Sequence, residues 1–259
     1  MFGAIDINCD VGEGYGNYTF GSDAEIMPYL SSANIACGFH GGDPINMERT
    51  IKLAKEHGVA IGAHWGLPDV LGFGRRRMDI SIDDARCICL YQIGALRGIA
   101  GSQDMDIDHL GPHGVLDAML GKEEELAQAT VNAIKKLNKN KNWAVYWSTP
   151  AKDNIFMDIL QAEGFRVVPE IIADLEYHAD GSAVIERSKK PIDVEAMGRR
   201  LEQFLTTGKL PAIDGSEIEF DVKAILFHGD GPNAVEVAKK IRSIVDSLGI
   251  KVLPASQLI

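Results

Sequence analysis

The sequence predicts an α/β fold, a (β/α)7-8 barrel in one domain spanning residues 1–259. Three observations predict it. Short apolar runs alternate strictly with longer amphipathic ones, roughly seven or eight times over. No low-complexity linker divides the chain. Polar residues of catalytic type gather directly after the apolar runs. Strict alternation argues for a parallel sheet with helices outside it, and the count and length favour a closed barrel over an open doubly wound sheet.

In order, residues 3–8 read as a buried strand and 34–37 as a second short one. Residues 43–57 have helical spacing, with Asp43 as N-cap, Pro44 at the first helical position and Gly58 as the stop. A strand at 59–63 precedes a long helix at 81–100, whose start Ser-Ile-Asp-Asp is a capping-box signature. A weak strand at 107–110 leads to a helix at 122–137, a strand at 143–147 and a helix at 151–163. Then come a strand at 165–168, a helix at 193–205, a strand at 224–227, a helix at 233–248 and a last strand at 251–253. The polar stretch 177–191, with its Asp180-Gly181 turn, reads as a hairpin leaving the barrel.

Hydrophobic residues make up 46% of the chain and charged ones 24%, enough to bury a core. The net charge of −11 argues against nucleic acid as a partner, because phosphate contacts need surplus Lys and Arg. No apolar run approaches the ~18 residues of a membrane span. The first residues lack a basic start and a long apolar stretch, so no signal peptide is expected and a cytoplasmic location follows. The four cysteines, Cys9, Cys37, Cys87 and Cys89, read as small buried residues in a reducing compartment.

The position of the polar residues carries the functional reading. The first predicted strand runs into Asp6, Asn8, Asp10 and Glu13, and the second into His40 and Asp43. The third runs into His64 and Asp69, and the fourth into His113. A later one runs into Glu170 and Asp174, and the strand at 224–227 into His228 and Asp230. In a parallel barrel all these ends meet on one face, where barrel enzymes carry their sites. His40, His64, His113 and His228, four of the seven histidines, then share a mouth. His57, His109 and His178 receive no role. Carboxylates beside histidines suit acid–base work on an activated water. They equally suit a divalent metal with mixed nitrogen and oxygen ligands, for which Asp10, His64 and His113 are the candidates. The sequence leaves both open. Arg75 or Arg76, after Gly-Phe-Gly, is a candidate grip on a substrate carboxylate, and a solvated basic turn is the plain alternative.

At DINCDVGEGYG (6–16), NIACGFHGGDP (34–44), GAHWGLPDVLGFGRR (62–76), PHG (112–114), EIIADLEYHADG (170–181) and FHGDGPNAVEVA (227–238), the sequence resembles the LamB/YcsF family. Its characterised members are the A subunits of bacterial ATP-dependent 5-oxoprolinase. The resemblance implies a barrel related to the glycoside hydrolase/deacetylase superfamily. It also implies ring opening of 5-oxoproline to glutamate together with B and C subunits, with ATP used through the complex. The chain departs from the family pattern where a lysine usually precedes PHG, here Gly111, and where PHGALYN is usual, here PHGVLDA with Asp117 and Ala118. It departs again at Trp65, usually proline, at Leu175, usually arginine, and at HGDGPNA, usually HGDTPGA. These changes imply a less basic and differently shaped pocket, with Trp65 as added bulk.

Three functions follow as expectations. The first is hydrolysis of a cyclic amide as one subunit of an assembly. There Asp6, Asp10, Glu13, His40, His64 and His113 act on the amide, while Asn8, Asp43, Arg75, Arg76, Glu170, Asp174, His228 and Asp230 bind substrate. The second is a stand-alone metal-dependent deacetylase or amidase. The third is a small-molecule-binding subunit without turnover.

Overall fold

A computed structural model describes residues 2–140, 142–148, 153–184 and 190–258. Its elements are β1 (Ala4–Val11), α1 (Asp23–Ile26), β2 (Ser32–Ala36), α2 (Pro44–His57), β3 (Ala60–Trp65), α3 (Ile82–Ser102), β4 (His109–Pro112), α4 (Val115–Leu120) and α5 (Glu124–Leu137). There follow β5 (Ala144–Ser148), α6 (Ile155–Ala162), β6 (Arg166–Ile172), α7 (Val194–Thr207), β7 (Lys209–Pro211), β8 (Glu217–Glu219), β9 (Ala224–His228), α8 (Ala234–Ser247) and β10 (Lys251–Val252).

Strands β1, β2, β3, β4, β5, β6 and β9 pair in parallel in that order, and β9 pairs back onto β1 to close the barrel. The barrel therefore has seven strands. The predicted eighth, β10, pairs only with Ala4 and Ile5 at the start of β1. It cannot enter the ring because β9 already occupies that edge of β1 from Asp6 to Asp10.

Alternation along β1 shows how the sequence builds this barrel. Ile5, Ile7, Cys9 and Val11 belong to the large apolar core against the helices, while Asp6, Asn8 and Asp10 are buried polar residues on the other face. That inner face is unusually polar for a barrel, whose interior is normally filled by branched aliphatic side chains. Among the described residues, Ala144, Tyr146, Val168, Ala224 and Ala255 form a small separate apolar cluster.

The helices follow their predicted caps. Asp43 accepts from Ile45 N at 2.8 Å and Asn46 N at 3.1 Å, and Gly58 ends α2 with φ 67°. Ser81 and Asp84 form the capping box of α3. Several expectations need correction. The fourth strand begins at His109 and not at residue 107. The helix expected over 151–163 runs from Ile155 to Ala162, because Asn154 caps it at Met157 N, and residues 151–152 lie outside the described residues. Helix α4 and the β7–β8 hairpin are additions. The excursion after β6 is a Tyr177–Ala183 antiparallel bridge around Gly181, and residues 185–189 of that stretch lie outside the described residues. Cys9, Cys37 and Cys89 are buried, but Cys87 is exposed on α3. No described helix is long and apolar enough to cross a membrane.

Candidate active site

The strand ends converge as expected, and three histidines form the centre. His64 leaves the end of β3. Its Nδ1 lies 2.9 Å from Gly111 O, and its Nε2 lies 2.9 Å from His113 Nδ1 and 3.4 Å from Asp10 Oδ2. His113 follows β4, with Nε2 2.8 Å from Phe73 O. His40 follows β2 and stacks on the His113 ring, centroids 3.7 Å apart at 7°. Its Nε2 lies 3.3 Å from Glu13 Oε1.

The partners fix the tautomers. A carbonyl oxygen only accepts, so His64 Nδ1 and His113 Nε2 carry the protons. In the neutral rings, His64 Nε2 and His113 Nδ1 then face each other as bare lone pairs, with a carboxylate oxygen beside them. One positive centre among these atoms, a proton or a divalent cation, resolves the arrangement. Burial, and next the charge of His64, push His113 down to about 3, so this ring resists taking the proton. Burial and the neighbouring His113 and His64 likewise lower His40 well below its usual range. Burial alone would raise Asp10, but the neighbouring histidines, His64 first and then His228 and His113, outweigh it and hold this carboxyl low. Glu13, His40, His64 and His113 can each offer a ligand atom, all within 4.8 Å of one another; Asp10, the expected third ligand, is outside this group of four but lies 3.4 Å from His64 Nε2. Both His64 and His113 give their outer N–H to a backbone carbonyl, as metal-binding imidazoles do.

Around this centre, His228 lies next to Asp10 across the β1–β9 pairing, and its Nδ1 donates to Asp174 Oδ2 at 2.9 Å. Arg75 lies over the Phe73 ring at 5.2 Å, with Nη2 3.8 Å from Asp230 Oδ2. These residues complete the mouth.

Other expected residues lie elsewhere. Asp6 lies on the barrel floor, four residues or about 13 Å along the strand from Asp10. It accepts from Ser31 Oγ at 2.5 Å, Ser32 Oγ at 2.9 Å and the Tyr146 hydroxyl. Asp43 caps α2 and accepts from Gly16 N at 2.9 Å, outside the lumen. Arg76 turns outward and grips Asp69 through Nε at 3.0 Å, so it braces its loop. Asn8 and Glu170 meet in mid-lumen at 2.8 Å, below the histidines. Burial raises Glu170 to about 8 against the lowering bonds from Ser148 and Asn8.

Two departures from the family pattern resolve differently. Trp65 is fully buried in the apolar core, because its neighbour His64 takes the inward position on β3; it adds no bulk to the pocket. Leu175 also packs against that core. Gly111 does face the lumen, where an added Cβ would meet nothing closer than Tyr146 Cδ2 at 3.8 Å and His64 Nδ1 at 3.9 Å. Asp117 on α4 is pushed up to about 7 by burial, with His64 pulling it down.

The LamB/YcsF family model matches residues 5–259. The chain belongs to the LamB/YcsF family. Among its relatives, the 5-oxoprolinase A subunit of Pyrococcus abyssi is 41% identical over 257 residues, covering 98% of this chain and 99% of that one. The same-named protein of Clostridium beijerinckii is 38% identical over 256 residues, covering 98% of each. The lactam utilization protein from Thermus thermophilus superposes with a TM-score of 0.87 at 35% identity, covering 96% of this chain and 99% of that structure. A peptidoglycan N-acetylglucosamine deacetylase shares the fold, with a TM-score of 0.51 at 12% identity.

The sequence reading of this LamB/YcsF chain missed His109, Asn34, Tyr146 and Ser148, all of which face the lumen. His109, Gly111 and His113 are spaced by two, a strand signal that would have put His109 on the same face as the mouth.

Proposed function

We propose that this chain hydrolyses the ring amide of a small lactam, 5-oxoproline first, as the A subunit of an assembly whose B and C subunits bring in ATP. The observation that carries the chemistry is the placing of His64 Nε2 in the mouth, 2.9 Å from His113 Nδ1 and 3.4 Å from Asp10 Oδ2. The full-length likeness to the A subunits of 5-oxoprolinases supports the substrate. Exposed apolar residues on the segments that follow β1, β2 and β3, Tyr18 at 81%, Ile45 at 77% and Leu71 at 95%, support membership of an assembly.

Ring opening adds one water: a C–O bond forms at the carbonyl carbon, the C–N bond breaks, and the nitrogen takes a proton. Arg75 would hold the substrate carboxylate at the rim. His228, oriented by Asp174, would move the proton between water and the ring nitrogen. Asp10, His64 and His113, with His40 and Glu13 adjoining, would hold a divalent ion such as zinc. When bound, such an ion supplies Lewis acidity toward the amide carbonyl.

The test is 5-oxoproline turnover by the purified chain, alone and with B and C subunits and ATP. Glutamate formation only with partners and ATP supports the assembly reading. Hydrolysis of a lactam or acetamide by the chain alone, dependent on added metal, would replace it with the stand-alone amidase. The second reading rests on the same three ligand atoms.

A further inference from the structure

Below the mouth runs a directed chain of hydrogen bonds that the proposed chemistry leaves unused. Asn34 on β2 is buried, and its Nδ2 donates to Asn8 Oδ1 at 2.8 Å and to Asp10 Oδ1 at 3.1 Å. Two acceptors on that side fix the amide orientation, so Asn34 Oδ1 faces His109 Nε2 at 2.9 Å as an acceptor. His109 is fully buried, and its Nδ1 makes no hydrogen bond among the described residues, the Asp108 carboxylate being 3.8 Å away. The acceptor at 2.9 Å calls for a proton on Nε2, while the longer Asp108 contact at Nδ1 lies beyond hydrogen-bond distance. Asn8 in turn donates to Glu170 Oε2 at 2.8 Å, and Ser148 donates to Glu170 Oε1 at 2.6 Å. Every donor in this chain points toward a carboxyl group, that of Asp10 or Glu170.

His109 and Asn34 are not on neighbouring strands. Gly62 on β3 lies between them, the register partner of both. The imidazole crosses the place where any other residue would carry its Cβ, which would fall 2.0 Å from His109 Cδ2 and 2.2 Å from Nε2. Two strand spacings are about 9.5 Å, a gap that histidine and asparagine together span only over a glycine.

We propose that His109 is a positioning residue: reaching across Gly62, it clamps Asn34, and Asn34 pins Asp10 Oδ1 so that Oδ2 alone is presented to His64 and His113. This rests on the reading of those three residues as a metal site. Loss of such an outer partner typically costs about 10–100-fold in metal affinity.

The experiment combines two readouts. Nitrogen-15 NMR of histidine-labelled, metal-free protein reports the His109 tautomer. A proton on Nε2 is expected, and a neutral ring protonated on Nδ1 would overturn the clamp whether or not metal binds. Calorimetric titration with zinc or cobalt then compares wild type, His109→Gln, His109→Phe and Gly62→Ala, with Tm showing that each is folded. Glutamine can still donate to Asn34, so its affinity should stay within about threefold. Phenylalanine fills the same space without a donor and should lose about 10–100-fold. Gly62→Ala displaces an intact histidine and should match phenylalanine. Wild-type affinity in folded His109→Phe would overturn the proposal. If wild type itself takes up no divalent ion, the metal reading fails, and the tautomer alone decides the clamp.

Discussion

His64 Nε2 and His113 Nδ1 face each other at 2.9 Å while their outer nitrogens are both held by carbonyl oxygens, of Gly111 and Phe73. Two buried lone pairs at this distance, next to Asp10, form a place where positive charge is favourable. A divalent ion binding the folded chain and not the unfolded one must therefore raise its stability. At a free-ion concentration of about 100 times Kd the gain is about 2.7 kcal/mol. A thermal scan should show a higher Tm with micromolar zinc and its reversal by chelator. His113→Ala should abolish most of that rise, and an equal zinc-induced rise in the folded variant would refute the ligand assignment.

Arg75 and Arg76 are adjacent in sequence but divide their roles. Arg76 is held on Asp69 outside the mouth, whereas Arg75 lies over Phe73 and lowers the pKa of both His40 and His113 by its charge. A hydrogen bond to a charged group is worth about 1.5–3 kcal/mol, roughly 10–150-fold in binding. Arg75→Ala should raise KM for a lactam carrying a carboxylate by about that factor, with little change for an uncharged lactam. Arg76→Ala should leave KM unchanged and lower Tm slightly. Steady-state kinetics of the assembled enzyme with both lactams separate the two.

Trp65 shows how one position along a strand changes the meaning of a residue. It sits beside a ligand candidate in sequence, but the pleat sends it to the opposite face, into the core. Trp65→Ala should cost about 3–5 kcal/mol of stability, as large aromatic truncations do. KM should be unchanged in the protein that remains folded. A KM shift without loss of Tm would return Trp65 to the pocket.

The same strand logic explains what the sequence could and could not reveal. The barrel and its mouth were legible because strand, polar cluster and amphipathic helix recur in order, and because Asp43, Ser81 and Gly58 mark helix ends by local chemistry. A closed barrel was legible, but which strand closes it was not. Whether β10 joins the ring depends on β9 reaching β1, a pairing between the two ends of the chain that no local pattern encodes. The histidines at the mouth stand out because glycines and acids surround them. His109 does not stand out, because its function depends on the absence of a side chain at Gly62, which lies 47 positions earlier in the chain. Asp6 was placed with Asp10 correctly by face and wrongly by depth, since alternation tells which side a residue faces but not how far it lies from the mouth.

Glu170 gives a pH-dependent prediction whose sign opposes the usual carboxylate case. Burial lifts it from the ordinary 4.5 to about 8, with Ser148 and Asn8 opposing and Asp10 and Asp6 adding to the rise. The folded protein therefore holds this proton more tightly than the unfolded chain does. Between pH ~4.5 and ~8 the native state binds more protons at this site, so its contribution to stability falls as pH rises and levels off above about 8. Glu170→Gln keeps the shape, and its amide can still accept at Oε1, but it carries no titrating group. One amide N–H then faces the donor of Asn8 or Ser148, which adds a constant cost. The stability difference between Glu170→Gln and wild type should thus move in favour of the variant through this window, and be flat outside it. Urea melts of both proteins at half-unit pH steps, without added metal, give that difference directly. A difference independent of pH would mean that Glu170 is ionised throughout and that the hydrogen bonds from Asn8 and Ser148 outweigh its burial.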